Sequence, residues 1–177
     1  MNWYTDMITG LYKKCNPEET VLPSVFKSCY NNLRISGRGR HVMLTEEKLE
    51  NLILKYDIPY NHNIALARRT TGREWVLPDT LENVKEFEKA EYFYVCFSEQ
   101  GICIFPALEN WNSGEPLVFG WKQITGFEVK KGWFTENDLR LSSGKVRLRL
   151  KLVKKMANNS WVRENMIFLD SVNYYRR

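Results

Sequence analysis

The chain has 177 residues, of which 44% are hydrophobic, 14% aromatic and 27% charged. This composition excludes an intrinsically disordered protein and provides enough apolar side chains for one well-cored domain. The net charge of +5 permits an anionic partner without requiring one, and the excess lies in residues 91–177, which carry 13 basic and 9 acidic side chains.

Residues 1–89 are predicted to form a mainly helical region. Apolar residues recur at the 3.6-residue period of a helix over 3–12 and again over 16–33, where Pro17 suits the first helical turn. Thr45 is a suitable N-cap for a third helix, which ends near Asp57-Ile58-Pro59, and a shorter helix is predicted over 79–89. Short strands are predicted at 64–68 and 74–77.

From Tyr92 onward the apolar pattern changes to the two-residue period of strands. Turn residues such as Ser142-Ser143-Gly144 separate short segments, and this spacing favours antiparallel hairpins over parallel crossovers. The seven predicted strands cover residues 92–97, 102–105, 117–121, 127–131, 139–141, 146–153 and 161–169.

These patterns together predict the α+β fold class. A helical N-terminal half, residues 1–89, is followed by a curled antiparallel sheet or small barrel of about seven strands in residues 90–177. The sequence leaves open whether the two regions are separate domains or one continuous domain.

The β-rich stretch, about residues 90–169, contains the segments YFYVCFSEQGICIFP, WKQI, FEVKK, DLRLSSG and KVRLRLKL. In these segments it resembles bacterial pleckstrin-homology-like, or GRAM-like, domains. The resemblance implies a bent seven-stranded sheet closed by a C-terminal helix, and a domain that binds lipids, peptides or other proteins without catalysis. The chain departs from this pattern in one respect, because the predicted last strand leaves only residues 170–177 for the closing helix.

The four cysteines, Cys15, Cys29, Cys96 and Cys103, lie among apolar neighbours without a CxxC pair. They are predicted to be buried free thiols. The N-terminal residues do not form a secretory signal, and no apolar run is long enough for a transmembrane segment. The sequence therefore predicts a cytoplasmic protein.

The most ordered charge pattern lies in the predicted strand at 146–153. Side chains alternate across a strand, so Lys145, Arg147, Arg149 and Lys151 are predicted to line the face opposite the core. One interpretation is an anion-binding surface for nucleic acid or acidic lipid. The favoured alternative is a solvated face whose cations pair with acidic residues of neighbouring strands; the available partners are Glu128, Glu136, Asp138 and Glu164.

Two smaller basic groups and three tryptophans are further candidates. Arg34, Arg38 and Arg40, beside His41, lie around Gly37 and Gly39 and are candidate anion-binding residues, although a linker between helices is favoured. Arg68, Arg69 and Arg73 are open to the same two interpretations. Near turns lie Trp111, Trp133 and Trp161, which suit either base stacking or packing at the rim of the core.

The sequence nominates no catalytic residue, metal ligand or cofactor. It has two histidines, His41 and His62, and neither lies at a metal-ligand spacing from a cysteine or carboxylate. The leading hypothesis is a non-enzymatic binding module of unknown ligand, with a protein or peptide as the favoured partner. The alternatives are a binder of nucleic acid or anionic lipid through the basic strand, and an enzyme with an unrecognised site.

Overall fold

The structure, a computed structural model, describes residues 44–70, 75–78, 83–108, 113–157 and 159–176. All of them belong to one compact unit, Arg40–Arg177. The helices predicted over 3–12 and 16–33 lie outside the described residues. So do Cys15, Cys29, Arg34, Arg38, Arg40, His41, Arg73 and Trp111.

Three α-helices and seven strands make up the described part of the chain. In chain order they are α1 (Glu46–Leu54), β1 (Ile64–Arg69), α2 (Val84–Lys89), β2 (Tyr92–Phe97), β3 (Gly101–Ala107), β4 (Leu117–Gly120), β5 (Gly126–Lys130), β6 (Glu136–Ser143), β7 (Val146–Val153) and α3 (Ser160–Ser171). Short 3-10 turns follow β4, at Trp121–Gln123, and α3, at Asn173–Tyr175.

All seven strands form one antiparallel sheet in the order β4-β3-β2-β1-β7-β6-β5. β1 connects the two halves of the sheet, because it pairs with β2 on one side and with β7 on the other. The register places Ala67 opposite both Phe93 and Leu152. β4 and β5 are therefore the edge strands.

The predicted fold class is wrong in its helical N-terminal half. Within residues 44–89 the described structure contains α1 and α2, of nine and six residues, and also β1, which lies inside the sheet. Helices thus occur before, between and after strands instead of forming a separate half. The physical reason is the Ile64–Ala67 run, which is buried throughout and belongs to a strand that pairs with β2 on one side and with β7 on the other.

The predicted strand at 161–169 is also wrong, because these residues belong to α3. Its buried residues are Trp161, Val162, Asn165, Met166 and Leu169, a spacing that places them on one side of a helix. The chain therefore has a C-terminal helix of twelve residues, which begins at Ser160.

Two apolar clusters lie against the sheet and explain its strand pattern. Alternate residues of β2 belong to different clusters: Phe93, Val95 and Phe97 to the first, Tyr94 and Cys96 to the second. Leu49, Leu52 and Ile53 of α1 cover the second cluster, to which the start of α3 also contributes. β1, β2 and β3 are thus buried on both faces, which accounts for their nearly continuous apolar sequences.

Gly101 shows how closely the backbones approach in this core. A Cβ atom at this position would collide with the carbonyl oxygen of Phe119 on β4. Gly101 pairs directly with Gly120 in the β3–β4 register. A glycine at the start of β3 therefore permits this close strand contact.

Candidate functional site

The basic strand predicted at 146–153 is β7, with the predicted alternation. Val146, Leu148, Leu150 and Leu152 are buried, whereas Arg147 is exposed and Arg149 and Lys151 are half-buried on the other face. Lys145 is exposed in the turn that precedes the strand. The prediction of a cationic face is therefore correct in its geometry, and its charges depend on the neighbouring strands.

Asp138 on β6 takes up much of this charge. The guanidinium of Arg149 donates to the Asp138 carboxylate, with Nη2–Oδ2 at 2.7 Å and Nε–Oδ1 at 3.0 Å. The ammonium of Lys151, which lies directly opposite Asp138, is 3.6 Å from the same carboxylate. The Arg149 hydrogen bonds, with the nearby positive charge of Lys151, hold the pKa of Asp138 below its ordinary value. Two of the four candidate cations are thus ion-paired within the sheet.

Arg68 and Arg69 of the third basic group also have partners. Arg68 on β1 donates to both carboxylate oxygens of Glu136, with Nη2–Oε2 at 3.0 Å. This pairing raises the pKa of Arg68 and lowers that of Glu136. Arg69 donates to the carbonyl of Glu88 and lies over the ring of Trp75, 4.7 Å from its centroid. Both residues stabilise the described fold.

Lys145 and Arg147 are the least engaged members of the strand face. No carboxylate among the described residues forms an ion pair with either side chain. The Arg147 backbone pairs with Val76, and its side chain is exposed. Of the four cations predicted on the strand face, the two that could meet an external anion therefore lie near the Gly144 turn between β6 and β7.

A second surface, which the sequence indicated only through Trp133, lies at the opposite end of the strands. We define the hairpin tip as residues 130–135, which connect β5 to β6. Trp133 is 96% exposed and Phe134 is 84% exposed, although both are large aromatic side chains. Trp161, by contrast, is buried in α3 at 4% exposure.

The tip backbone is held by buried and charged groups. The Gly132 amide donates to Oδ1 of Asn137 at 3.1 Å, and the Lys154 ammonium donates to the Gly132 carbonyl at 2.5 Å. The Lys154 amide donates to the Thr135 carbonyl at 2.8 Å. Asn137 is fully buried, and its amide donates to the hydroxyl of Tyr174 at 3.1 Å. The exposed rings therefore project from an anchored loop.

An open groove of about 690 Å³ adjoins the tip at Thr135. It runs between the segment after β7 and the first turns of α3, and Met156 and Ile167, which are 37% and 61% exposed, provide apolar surface along it. Lys155 and Arg163 also line the groove, as does Glu164. The tip and the groove together form a surface with apolar and cationic side chains.

The two described cysteines are buried free thiols, as predicted. They lie directly opposite each other on β2 and β3. Burial raises the pKa of Cys103 to about 12. The pKa of Cys96 is raised well above its ordinary value, mainly by burial and to a smaller extent by the neighbouring Cys103. Both side chains therefore remain protonated at neutral pH, which does not favour a nucleophilic role.

A polar cluster around His62 was not predicted from the sequence. Nδ1 of His62 lies 3.1 Å from Oδ1 of Asn165 on α3 and 3.6 Å from Oε1 of Glu46 on α1. The Tyr60 hydroxyl donates to Glu46 at 2.5 Å, and burial and this hydrogen bond raise the pKa of Tyr60. Asn165 is fixed by donating to the Ile64 carbonyl at 2.9 Å. This cluster connects α1 and α3 to the start of β1.

The described residues contain no group of three or more histidine, cysteine, aspartate or glutamate side chains suited to a metal ion. No helix in this part of the chain is both long and apolar enough to cross a membrane.

A scan against protein-family models finds no match to the chain, and searches among curated proteins and solved structures find none either.

Proposed function

We propose that the described unit is a non-catalytic binding module that contacts its partner through the hairpin tip and the adjoining groove. The observation that carries this proposal is the exposure of Trp133 and Phe134, at 96% and 84%, on a loop whose backbone is anchored at Gly132 and Thr135. Apolar surface of this kind is typical of interaction sites.

The contrast with the rest of the unit strengthens this argument. Aromatic side chains elsewhere, such as Phe87, Phe93 and Phe97, are fully buried. Removing an aromatic side chain from water is favourable by roughly 2 kcal/mol. A partner that covers Trp133 and Phe134 would therefore be stabilised by their burial. Anchoring a loop while exposing its rings also lowers the entropy lost on binding.

The sheet supports a module similar to pleckstrin-homology-like domains. The resemblance to such domains implies seven antiparallel strands followed by a closing helix. In this chain α3 follows β7 and contributes Met166 and Leu169 to the first apolar cluster. The proposal extends this similarity to a role in binding.

The basic strand is a weaker candidate for the binding surface. Asp138 already pairs with Arg149 and Lys151, so an external anion would compete with a carboxylate that is held in place. Lys145 and Arg147 remain exposed, but the described apolar side chain beside them, Val76 at 44% exposure, offers less apolar surface than the two rings of the tip. Lys145 and Arg147 therefore provide the matched control for charge substitutions at the tip.

A fragment screen on the full chain tests the location of the site. When small aromatic and amphiphilic fragments are added, the amide chemical shifts of the tip and groove should change first, because such probes collect at binding surfaces. The double substitution Trp133→Ser/Phe134→Ser should abolish these shifts, whereas Val118→Ser, at an apolar position of β4 that is 41% exposed, should leave them unchanged. Fragments that cluster elsewhere would contradict the proposal.

A further inference from the structure

We propose that the partner of this surface is an anionic lipid bilayer, into whose interface the hairpin tip inserts Trp133 and Phe134. This inference rests on the proposed function, because it names the partner of the same surface. Insertion into a bilayer requires exposed apolar side chains, cations near them and an anchored backbone, and the hairpin tip with its groove combines these features.

The two aromatic side chains suit the two depths of a membrane interface. The indole of Trp133 combines an apolar body with an N–H donor, and tryptophan is enriched at the level of lipid headgroups for this reason. Phe134 has no polar atom in its side chain and suits the adjoining acyl region. Their exposures of 96% and 84% leave both rings accessible without a rearrangement of the core.

The tip and the adjoining groove also carry cations. Lys130 and Lys131 belong to the tip, Lys154 and Lys155 follow β7, and Arg163 lines the groove. Each lysine near an anionic membrane contributes about 1 kcal/mol of attraction, and lysine side chains reach headgroups while their neighbours insert.

Carboxylates near this surface reduce its charge without cancelling it. Glu164 lines the groove, Glu128 lies 3.6 Å from the Lys130 ammonium and Asp170 lies 3.8 Å from that of Lys131. Both lysines of these pairs are more than half exposed, so the pairs are weak and a phosphate group can replace the carboxylate. Five cations therefore face three carboxylates in this region.

The aliphatic neighbours favour a bilayer over a nucleic acid. Ile167 and Met156 extend the apolar surface along the groove, at 61% and 37% exposure. Single-stranded nucleic acid would use stacking rings beside a polar channel for phosphates, and aliphatic side chains contribute little to such a surface. A fluid bilayer accepts a projecting tip without a preformed pocket, whereas a protein partner would need a complementary one.

Vesicle binding by the full chain tests the inference. Cosedimentation is measured with vesicles of phosphatidylcholine alone and of phosphatidylcholine mixed with phosphatidylserine, at low and high salt. We expect binding to the mixed vesicles that weakens with salt. Trp133→Ser/Phe134→Ser should weaken it about a hundredfold, because each aromatic side chain contributes about a factor of ten.

Matched charge variants separate the tip from the strand face. Lys130→Gln/Lys131→Gln should reduce binding to the mixed vesicles about thirtyfold, at about 1 kcal/mol for each lysine. Lys145→Gln/Arg147→Gln removes the same charge at the opposite end of β6, beside the Gly144 turn, and should leave binding within about twofold of the parent chain. Acyl chains brominated near the headgroup should quench part of the tryptophan fluorescence, and Trp133→Phe should lose that quenching.

The outcomes distinguish this inference from the proposed function. If fragments bind at the tip but no vesicle is bound, the binding module stands and the bilayer is the wrong partner. Vesicle binding that survives the double aromatic substitution would overturn the insertion of the tip. Tip-dependent binding of single-stranded oligonucleotides, without vesicle binding, would identify nucleic acid instead and overturn the inference.

Discussion

Asp138→Asn is the substitution that most directly tests how much the ion pairs of Asp138 with Arg149 and Lys151 stabilise the sheet. The asparagine preserves the size of the side chain but removes the negative charge that accepts from Arg149 and lies beside Lys151. It also leaves Arg149 directly opposite Arg140, with no carboxylate beside them at position 138. The variant should therefore be less stable at neutral pH.

The size of the effect follows from the geometry of the pair. A hydrogen bond to a charged group contributes about 1.5 to 3 kcal/mol when it is well shielded, and exposed ion pairs contribute less than about 1 kcal/mol. The side chains here are intermediate, at 13% exposure for Asp138 and 30% for Arg149. We expect a loss of about 2 kcal/mol in the free energy of unfolding at neutral pH.

The pH dependence gives the sign of this contribution. The folded state lowers the pKa of Asp138, so its stabilisation is complete above the unfolded carboxyl pKa of about 4 and is lost as the pH falls through the lower folded value. Urea unfolding of the parent chain and of Asp138→Asn should therefore differ most near pH 7. The difference should shrink below about pH 4.

Glu128→Gln is the matched control for this prediction. Glu128 lies on the adjacent strand β5 and contacts Lys130 at 3.6 Å, but both side chains are about half exposed. Its removal should change stability by less than about 0.5 kcal/mol. Equal stability of Asp138→Asn and the parent chain at neutral pH, or a difference that persists in acid, would refute the ion-pair argument.

Three further substitutions test the core and the tip by urea unfolding. Leu150→Ala, at a fully buried position of β7, should cost about 3 kcal/mol, whereas Leu54→Ala, at 49% exposure, should cost less than about 0.5 kcal/mol; equal losses would contradict the assigned core. Asn137→Ala should cost about 2 kcal/mol and speed hydrogen exchange of the Gly132 amide; unchanged exchange would argue against the anchor. Gly101→Ala should cost about 2 kcal/mol through backbone collision, and a neutral effect would disprove the close contact.

The strands were predictable where sequence patterns reflect burial. β7 alternates charged and apolar residues because one face is buried, and its bounds agree with the prediction. β2 has the nearly continuous apolar sequence YFYVCF because both faces are buried. Residues 161–169 were misassigned because the short apolar groups at 161–162 and 166–169 suit either element when they are considered separately. The helical spacing of Trp161, Val162, Met166 and Leu169 was the signal that distinguished them.

The partners of the basic strand were only partly predictable. Glu136 and Asp138 were among the four acidic candidates, and the turn around Gly144 indicates a β6–β7 hairpin. Choosing Asp138 as the partner of Lys151 requires the exact register. The Arg68–Glu136 pair could not be predicted this way, because it depends on a tertiary contact between residues far apart in sequence.

The exposure of the tip follows from how the two halves of the sheet are covered. α1 and the start of α3 bury the second face of β1, β2 and β3, whereas charged side chains pair with one another on the corresponding face of β6 and β7. Both arrangements leave little apolar surface on the strands themselves. Trp133 and Phe134 lie beyond the ends of β5 and β6, where neither arrangement reaches them. A turn-adjacent tryptophan in a sequence does not reveal this, because its exposure depends on the elements that fail to cover it.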